Sequence, residues 1–308
     1  MEASITLKKV GKLIGDKTIL AGLSFGVERG SIVAIVGVND TGKSSLLKLL
    51  SGFENPNYGQ VFIHGLDMEK RRCETRQLIG YVPHDNDLDP WLTLEQNIRF
   101  TANLYKVGKA TASSLIAKYS KALGLSPYLN NYAMNVSNGT QKKTMLIREL
   151  VHNPDVLILD EPTGYMDAES IRHTWDLLKE LKGNKTIIYV SNALTEIEQA
   201  HDRILVFHDG RILMDGHLDK LLESTLDYHQ FQVEFINLTD DLYKNLSNVA
   251  TVVSPNRLDN IFHFYGRTRT VFFDVIRAAS NELMVDLNVK KLGLRDLLDS
   301  EFAGKGLD

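Results

Sequence analysis

No apolar run in this 308-residue sequence approaches the length of a membrane span. The longest candidates, "SIVAIVGV" and "DVLILDEP", have the length of buried strands. The amino-terminal "MEASITLKKV" lacks the apolar core of a signal peptide. A single cysteine, Cys73, excludes an internal disulfide and fits a reducing compartment. There is no excess of positive charge either. The formal net charge is −4 and no basic patch stands out, so nucleic acid is not an expected partner. Neither an internal repeat nor a low-complexity tract is present. What remains, at 43% hydrophobic and 24% charged residues, is an ordinary globular composition, long enough for one large and one smaller domain.

Within that composition the chain changes texture once. Up to about residue 216 it combines short strands with helices. "SIVAIVG" and "KTIIYVSN" read as strands buried on both faces, and "RILVFHDGRILMDG" as a hairpin turning at Asp209-Gly210. "KSSLLKLLSGF" and "SIRHTWDLLKELKG" read as helices, the second stopped by Gly183. Residues from about 88 to 150 are mostly helical, and Thr93 with Gln96 has the spacing of a capping box. Beyond Gly216 the order is βαββαβ, a split-βαβ or ferredoxin-like arrangement, closed by "GLRDLLDSEFAG". The expected division is therefore 1–216 and 217–308.

Three stretches carry chemistry. "GVNDTGKSS" matches G-x-x-x-x-G-K-[ST] between a strand and a helix. Its members are Gly37, Val38, Asn39, Asp40, Thr41, Gly42, Lys43, Ser44 and Ser45. Glycines in such a loop let backbone N–H groups converge on phosphate oxygens at a helix N-terminus. Lys43 is placed to reach the terminal phosphates, and the Ser44 hydroxyl to ligate Mg²⁺. "PDVLILDEP" sets Asp160 at the carboxyl end of a buried strand, where an aspartate holds Mg²⁺ through its water shell. Glu161 is suited to polarise a water as general base. "VSNGTQKK", Val136 to Lys143, lies between the two.

Together these stretches resemble ATP-binding cassette (ABC) ATPases over about Ile5 to Gly216. The resemblance implies a P-loop NTPase fold of α/β class, with a mixed sheet core, an antiparallel β subdomain and a helical subdomain. It also implies that Ser137, Asn138 and Gly139 face the γ-phosphate of ATP held by a second subunit. "GYVPHDNDLDPWLTLEQNI" resembles the Gln-loop region, with His84 in the glutamine's place as a metal-side group. "EPTGYMDAES" resembles the D-loop, and Asn192 stands where the family has its switch histidine. Ile14 occupies the position of the aromatic that stacks on adenine.

Several of these are departures from the family pattern. Asp40 replaces a usual glycine, and at about 8 Å and an effective dielectric of about 20 its charge costs about 2 kcal/mol per phosphate charge. Asn192 donates a hydrogen bond but cannot become cationic, which slows turnover more than it weakens binding. The expectation is an ATP site with its metal and base groups intact and slow hydrolysis, with Glu161, Asn192 and Lys43 as catalytic residues.

The resemblance further implies a cytoplasmic subunit, peripheral on the inner face of the membrane, that drives a separate permease, in export of the ABC-2 type. It pairs as a homodimer or a heterodimer with another cassette. Trp91 and Leu92 are docking candidates for the permease, with core burial the equal alternative for Trp91. The carboxy-terminal domain is read as a dimerisation module, with a regulatory ligand-binding module and an inert cap as the alternatives. Two other functions stay open: a regulatory cassette paired with an active paralogue, and a soluble non-transport ABC protein.

Overall fold

Buried runs of five residues form the middle of the largest sheet. A computed structural model describes residues 3–37, 41–191, 202–217, 229–249, 252–266, 270–279 and 284–291. The chain divides into two units, Met1–Asp215 and Gly216–Asp308. Val38, Asn39, Asp40 and Asn192 lie outside the described residues, as does "GLRDLLDSEFAG".

In the first unit, β1 (Ala3–Ile14) and β2 (Lys17–Glu28) form a long antiparallel hairpin. β3 (Ile32–Val36) follows, then α1 (Lys43–Leu50), β4 (Tyr58–Ile63), β5 (Leu66–Asp67), α2 (Arg72–Gln77) and β6 (Ile79–Val82). β2, β1, β4 and β5 make an antiparallel sheet in that order. Three helices come next: α3 (Leu94–Leu104), α4 (Lys109–Ala122) and α5 (Asn138–Leu150). The Thr93 capping box is present: Gln96 N–H donates to Thr93 Oγ1 at 3.2 Å, and Thr93 N–H to Gln96 Oε1 at 2.8 Å. Trp91, just before it, is 73% exposed, so the core reading of that residue does not hold.

β7 (Val156–Asp160), α6 (Ala168–Leu181), β8 (Thr186–Val190), β9 (Arg203–His208) and β10 (Arg211–Gly216) complete the main sheet. Its order is β10-β9-β3-β8-β7-β6, with β3, β6, β7, β8 and β9 parallel. Every residue of β3, β7 and β8 is buried, as strands covered on both faces must be. Leu46, Leu47 and Leu50 of α1 pack in one core with Val33, Ile35, Ile158 and Ile188. Asp209 and Gly210 both have positive φ, 43° and 71°, the requirement of the tight turn joining β9 to β10.

The second unit follows the βαββαβ succession. β11 (His229–Phe235), a helix at Asp240–Ser247, β12 (Val253–Leu258), β13 (Ile261–Gly266), a helix at Thr270–Ala278 and β14 (Met284–Lys291) occur in turn. The sheet order is β12-β13-β11-β14, all antiparallel. Phe231, Val233, Phe262 and Phe264 share a core with Leu242, Leu246, Val271 and Val275, so both helices cover one sheet face. Among the described residues no helix is long and apolar enough to cross a membrane.

Candidate functional site

The carboxyl ends of β3 and β7 lie side by side across β8, and ligands of parallel sheets bind at such ends. The turn from β3 into α1 can only be built with glycine at its two ends. A Cβ on Gly37 would meet the Phe207 carbonyl oxygen at 2.2 Å. Gly42 has φ 98°, and a Cβ there would meet the Ile19 carbonyl oxygen at 2.8 Å. Lys43 opens α1, and its Nζ donates to the Gly37 carbonyl at 2.8 Å. The Thr41 carbonyl accepts from Gly210 N–H at 3.2 Å and ties the loop to the β9–β10 turn.

A cleft of about 810 Å³ opens over this turn. Gly42, Lys43, Ser44, Ser45, His84, Asp160 and Glu161 line it, joined by Lys17, Ile19 and Val190. Seven of the residues singled out in the sequence thus meet in one place. Ile14 is not among the lining residues: it ends β1 and is 60% exposed.

Asp160 ends β7 with only 2% of its surface exposed. Glu161 follows at φ 47°, a region sparsely populated by non-glycine residues and often kept where function needs it. Its N–H donates to the Val190 carbonyl at 2.9 Å, which holds the bend. His84 Nδ1 stands 3.4 Å from Glu161 Oε2.

Ser137, Asn138 and Gly139 form a separate surface. Ser137 caps α5, its Oγ accepting from Thr140 N–H at 3.2 Å, and both Ser137 and Asn138 are exposed. Gly139 is buried beneath the turn that follows Glu161. With Gly139, Lys143, Tyr165 and Asp167, Ser137 lines a cavity of about 360 Å³. Asp167 caps α6 by accepting from Ser170 N–H at 2.7 Å, and hydrogen bonds from Ser170 hold its carboxyl below the usual range.

Lys142 was not singled out in the sequence. Its side chain is buried, with 1% of the residue exposed. Its Nζ donates to the carbonyls of Pro83 (2.5 Å), His84 (2.8 Å) and Asp160 (2.9 Å). Burial pushes its ammonium down to about 8, while the charges of Asp160 and Glu161 act the other way. A lysine in "TQKK" reads as a solvated residue, and no local signal marks it otherwise.

A divalent cation is compatible with the cleft on the chemistry of its donors. Ser44 and Asp160 supply hard oxygen, which suits Mg²⁺. No group of three or more His, Cys, Asp or Glu able to hold a metal occurs among the described residues. An ion here would therefore complete its shell from phosphate oxygens and water, the usual situation for Mg²⁺.

A phosphate-binding turn at the head of a parallel sheet, with two carboxylates at the end of the next strand but one, defines a P-loop nucleotide-binding cassette. The "ABC transporter" family model matches residues 20–164. The Nod factor export ATP-binding protein I of Burkholderia orbicola (strain AU 1054) is 32% identical over 225 residues, 73% of this chain and 74% of that protein. The ABC transporter ATP-binding protein NatA of Bacillus subtilis (strain 168) is 29% identical over 219 residues, 70% of this chain and 87% of that one. A solved structure described as the ATP binding subunit of an ABC transporter superposes with a TM-score of 0.67 at 25% identity, covering 71% of this chain and 92% of that one. The chain belongs to the ABC transporter family, as one of its ATP-binding proteins.

Proposed function

We propose that two copies of this chain close on two ATP molecules and that this motion drives a membrane permease in export. One observation carries the reading. Lys43, Asp160 and Glu161 line one cleft, while Ser137 and Gly139 line a second, outward-facing surface of the same chain. Each chain thus offers both halves of a composite site, and two copies make two whole ones.

Within a site the α1 N-terminus and Lys43 hold the phosphates. Ser44 and Asp160 would hold Mg²⁺, whose charge would offset that of the phosphates. Ser137, Asn138 and Gly139 of the other copy cap the γ-phosphate from the far side. Glu161 takes a proton from the attacking water as the bond between the γ-phosphorus and the bridging oxygen breaks, and ADP and phosphate leave. Turnover is slow. The His84 imidazole occupies the approach to Glu161 at 3.4 Å, and Asn192 lacks the switch cation. The permease docks on the helical segment, where Trp91, Phe100 and Leu104 are exposed. The protein is therefore peripheral to the membrane on its cytoplasmic side, and the second unit, 217–308, assists pairing.

Steady-state ATP turnover with Glu161→Gln as the blank tests this. Expected is a Glu161-dependent rate below about 1 s⁻¹, the low end for enzymes. A rate above about 10 s⁻¹ removes the slow-turnover reading. A rate unchanged in Glu161→Gln removes the assignment of the base.

A further inference from the structure

We propose that Lys142 is a positioning residue whose ammonium locks the connector after β6, the end of β7 and helix α5 into one piece. This rests on the nucleotide reading above and says how its two surfaces communicate.

Lysine is almost never fully buried without a partner charge. Lys142 is fully buried, yet its three hydrogen bonds all go to backbone carbonyls. An ammonium has three donors, and here all three are used. The acceptors come from two chain segments far apart in sequence. Pro83 and His84 leave β6, and Asp160 ends β7. The lysine itself sits one turn into α5, whose N-terminus is capped by Ser137.

Other side chains tether β6 and the same connector to α5. Glu149 accepts from Tyr81 N–H at 3.3 Å, and Arg148 Nη2 donates to Asp87 Oδ2 at 3.0 Å. Asn86 Nδ2 donates to Asn138 Oδ1 at 3.3 Å. These join β6 and the connector to α5 alone. Lys142 adds the third element, the strand that carries Asp160 and Glu161. Through it, a displacement of His84 against Glu161 becomes a displacement of Ser137, and the reverse also holds. Removing the ammonium leaves three carbonyls without their donor, and the elements regain independent movement.

The test uses Lys142→Met, which keeps length but has no donor, and Lys142→Arg, which keeps donors and charge. Both are made in the full chain. The first readout needs no nucleotide: amide hydrogen exchange. Expected in Lys142→Met is at least tenfold faster exchange at residues 84–89, at Glu161 and in the first turn of α5 together, with β3 and α1 unchanged. The second readout is kinetic. Expected is at least a tenfold fall in kcat with KM for ATP within about threefold, and at least partial recovery in Lys142→Arg. Exchange unchanged at all three places overturns the proposal. So does faster exchange across the whole first unit, which would make Lys142 a general stabiliser, or kcat and KM both at parental values. If Lys142→Met does not yield folded protein, Lys142→Gln, with two donors and a shorter reach, is judged by the same readouts. If the parent neither binds nor hydrolyses ATP, the nucleotide reading fails by itself, and the exchange result alone then decides the role of Lys142.

Discussion

Replacing Gly139 with alanine sets two opposing effects against each other at one backbone position. Alanine is the better helix former, by about 1 kcal/mol in a helix interior. A Cβ at Gly139, however, would sit 2.6 Å from the Tyr165 carbonyl oxygen and 3.3 Å from Met166 Cα, all of it backbone. That turn has little room to give. Tyr165 is at φ 65°, Gly164 N–H donates to the Glu161 carbonyl at 3.0 Å, and Met166 N–H to Thr163 at 3.2 Å. Overpacking of this kind costs about 1–3 kcal/mol, and a 2.6 Å contact with backbone belongs in the upper part of that range, about 2–3 kcal/mol, so against the propensity gain of about 1 kcal/mol the net loss is about 1–2 kcal/mol. For a unit of this size that lowers Tm by about 2–8 °C. Thermal unfolding of the full chain, followed by circular dichroism, reads it directly. ATP-driven pairing should weaken as well, because α5 must back away and carry Ser137 with it. An unchanged or raised Tm in Gly139→Ala would show that the first turn of α5 does not press on the turn after Glu161.

Two further outcomes follow from burial and exposure. Trp91→Ala removes an aromatic that is 73% exposed, so stability should change by no more than about 0.5 kcal/mol while co-purification of a membrane partner is lost; a large drop in Tm would return Trp91 to the core. Burial holds the His152 imidazole below its usual pKa, its Nε2 donates to the Ile79 carbonyl at 3.1 Å, and its buried Nδ1 has no hydrogen-bond partner. The unfolded chain therefore takes up a proton near pH 6.5 that the folded chain resists. Stability from this group is complete above that pH and is lost as pH falls through it. Tm measured from pH 7.5 to 5.5 should fall more steeply in the parent than in His152→Phe, which keeps a ring against Tyr105; parallel curves would contradict the assignment.

Local rules reached as far as local chemistry decides structure. "SIVAIVG" is apolar because β3 is covered on both faces, and the Asp209-Gly210 turn needs two residues that accept positive φ. Thr93 and Gln96 satisfy each other within one turn, so their spacing alone suffices. β6 escapes such reading: four residues, one of them Gly80, are too short a run to stand out beside the connector that follows. Lys142 escapes for another reason, since its three acceptors are brought together only by the packing of α5 on two strands. Ile14 is placed only by its position in a family pattern, and which hairpin residues line the cleft, Lys17 and Ile19 among them, depends on how β1 and β2 pair. The exposure of Trp91 depends on what α3 packs against, which no single segment records.

Pairing through the nucleotide is the point on which the functional account stands. The direct check is the solution mass of the Glu161→Gln protein, with and without saturating ATP and Mg²⁺. A mass that doubles with ATP, and stays single when Ser137→Phe is added, is the expected result. A single-chain mass with ATP bound, or a doubling that Ser137→Phe leaves intact, would mean that the serine–glycine surface does not close on the phosphate.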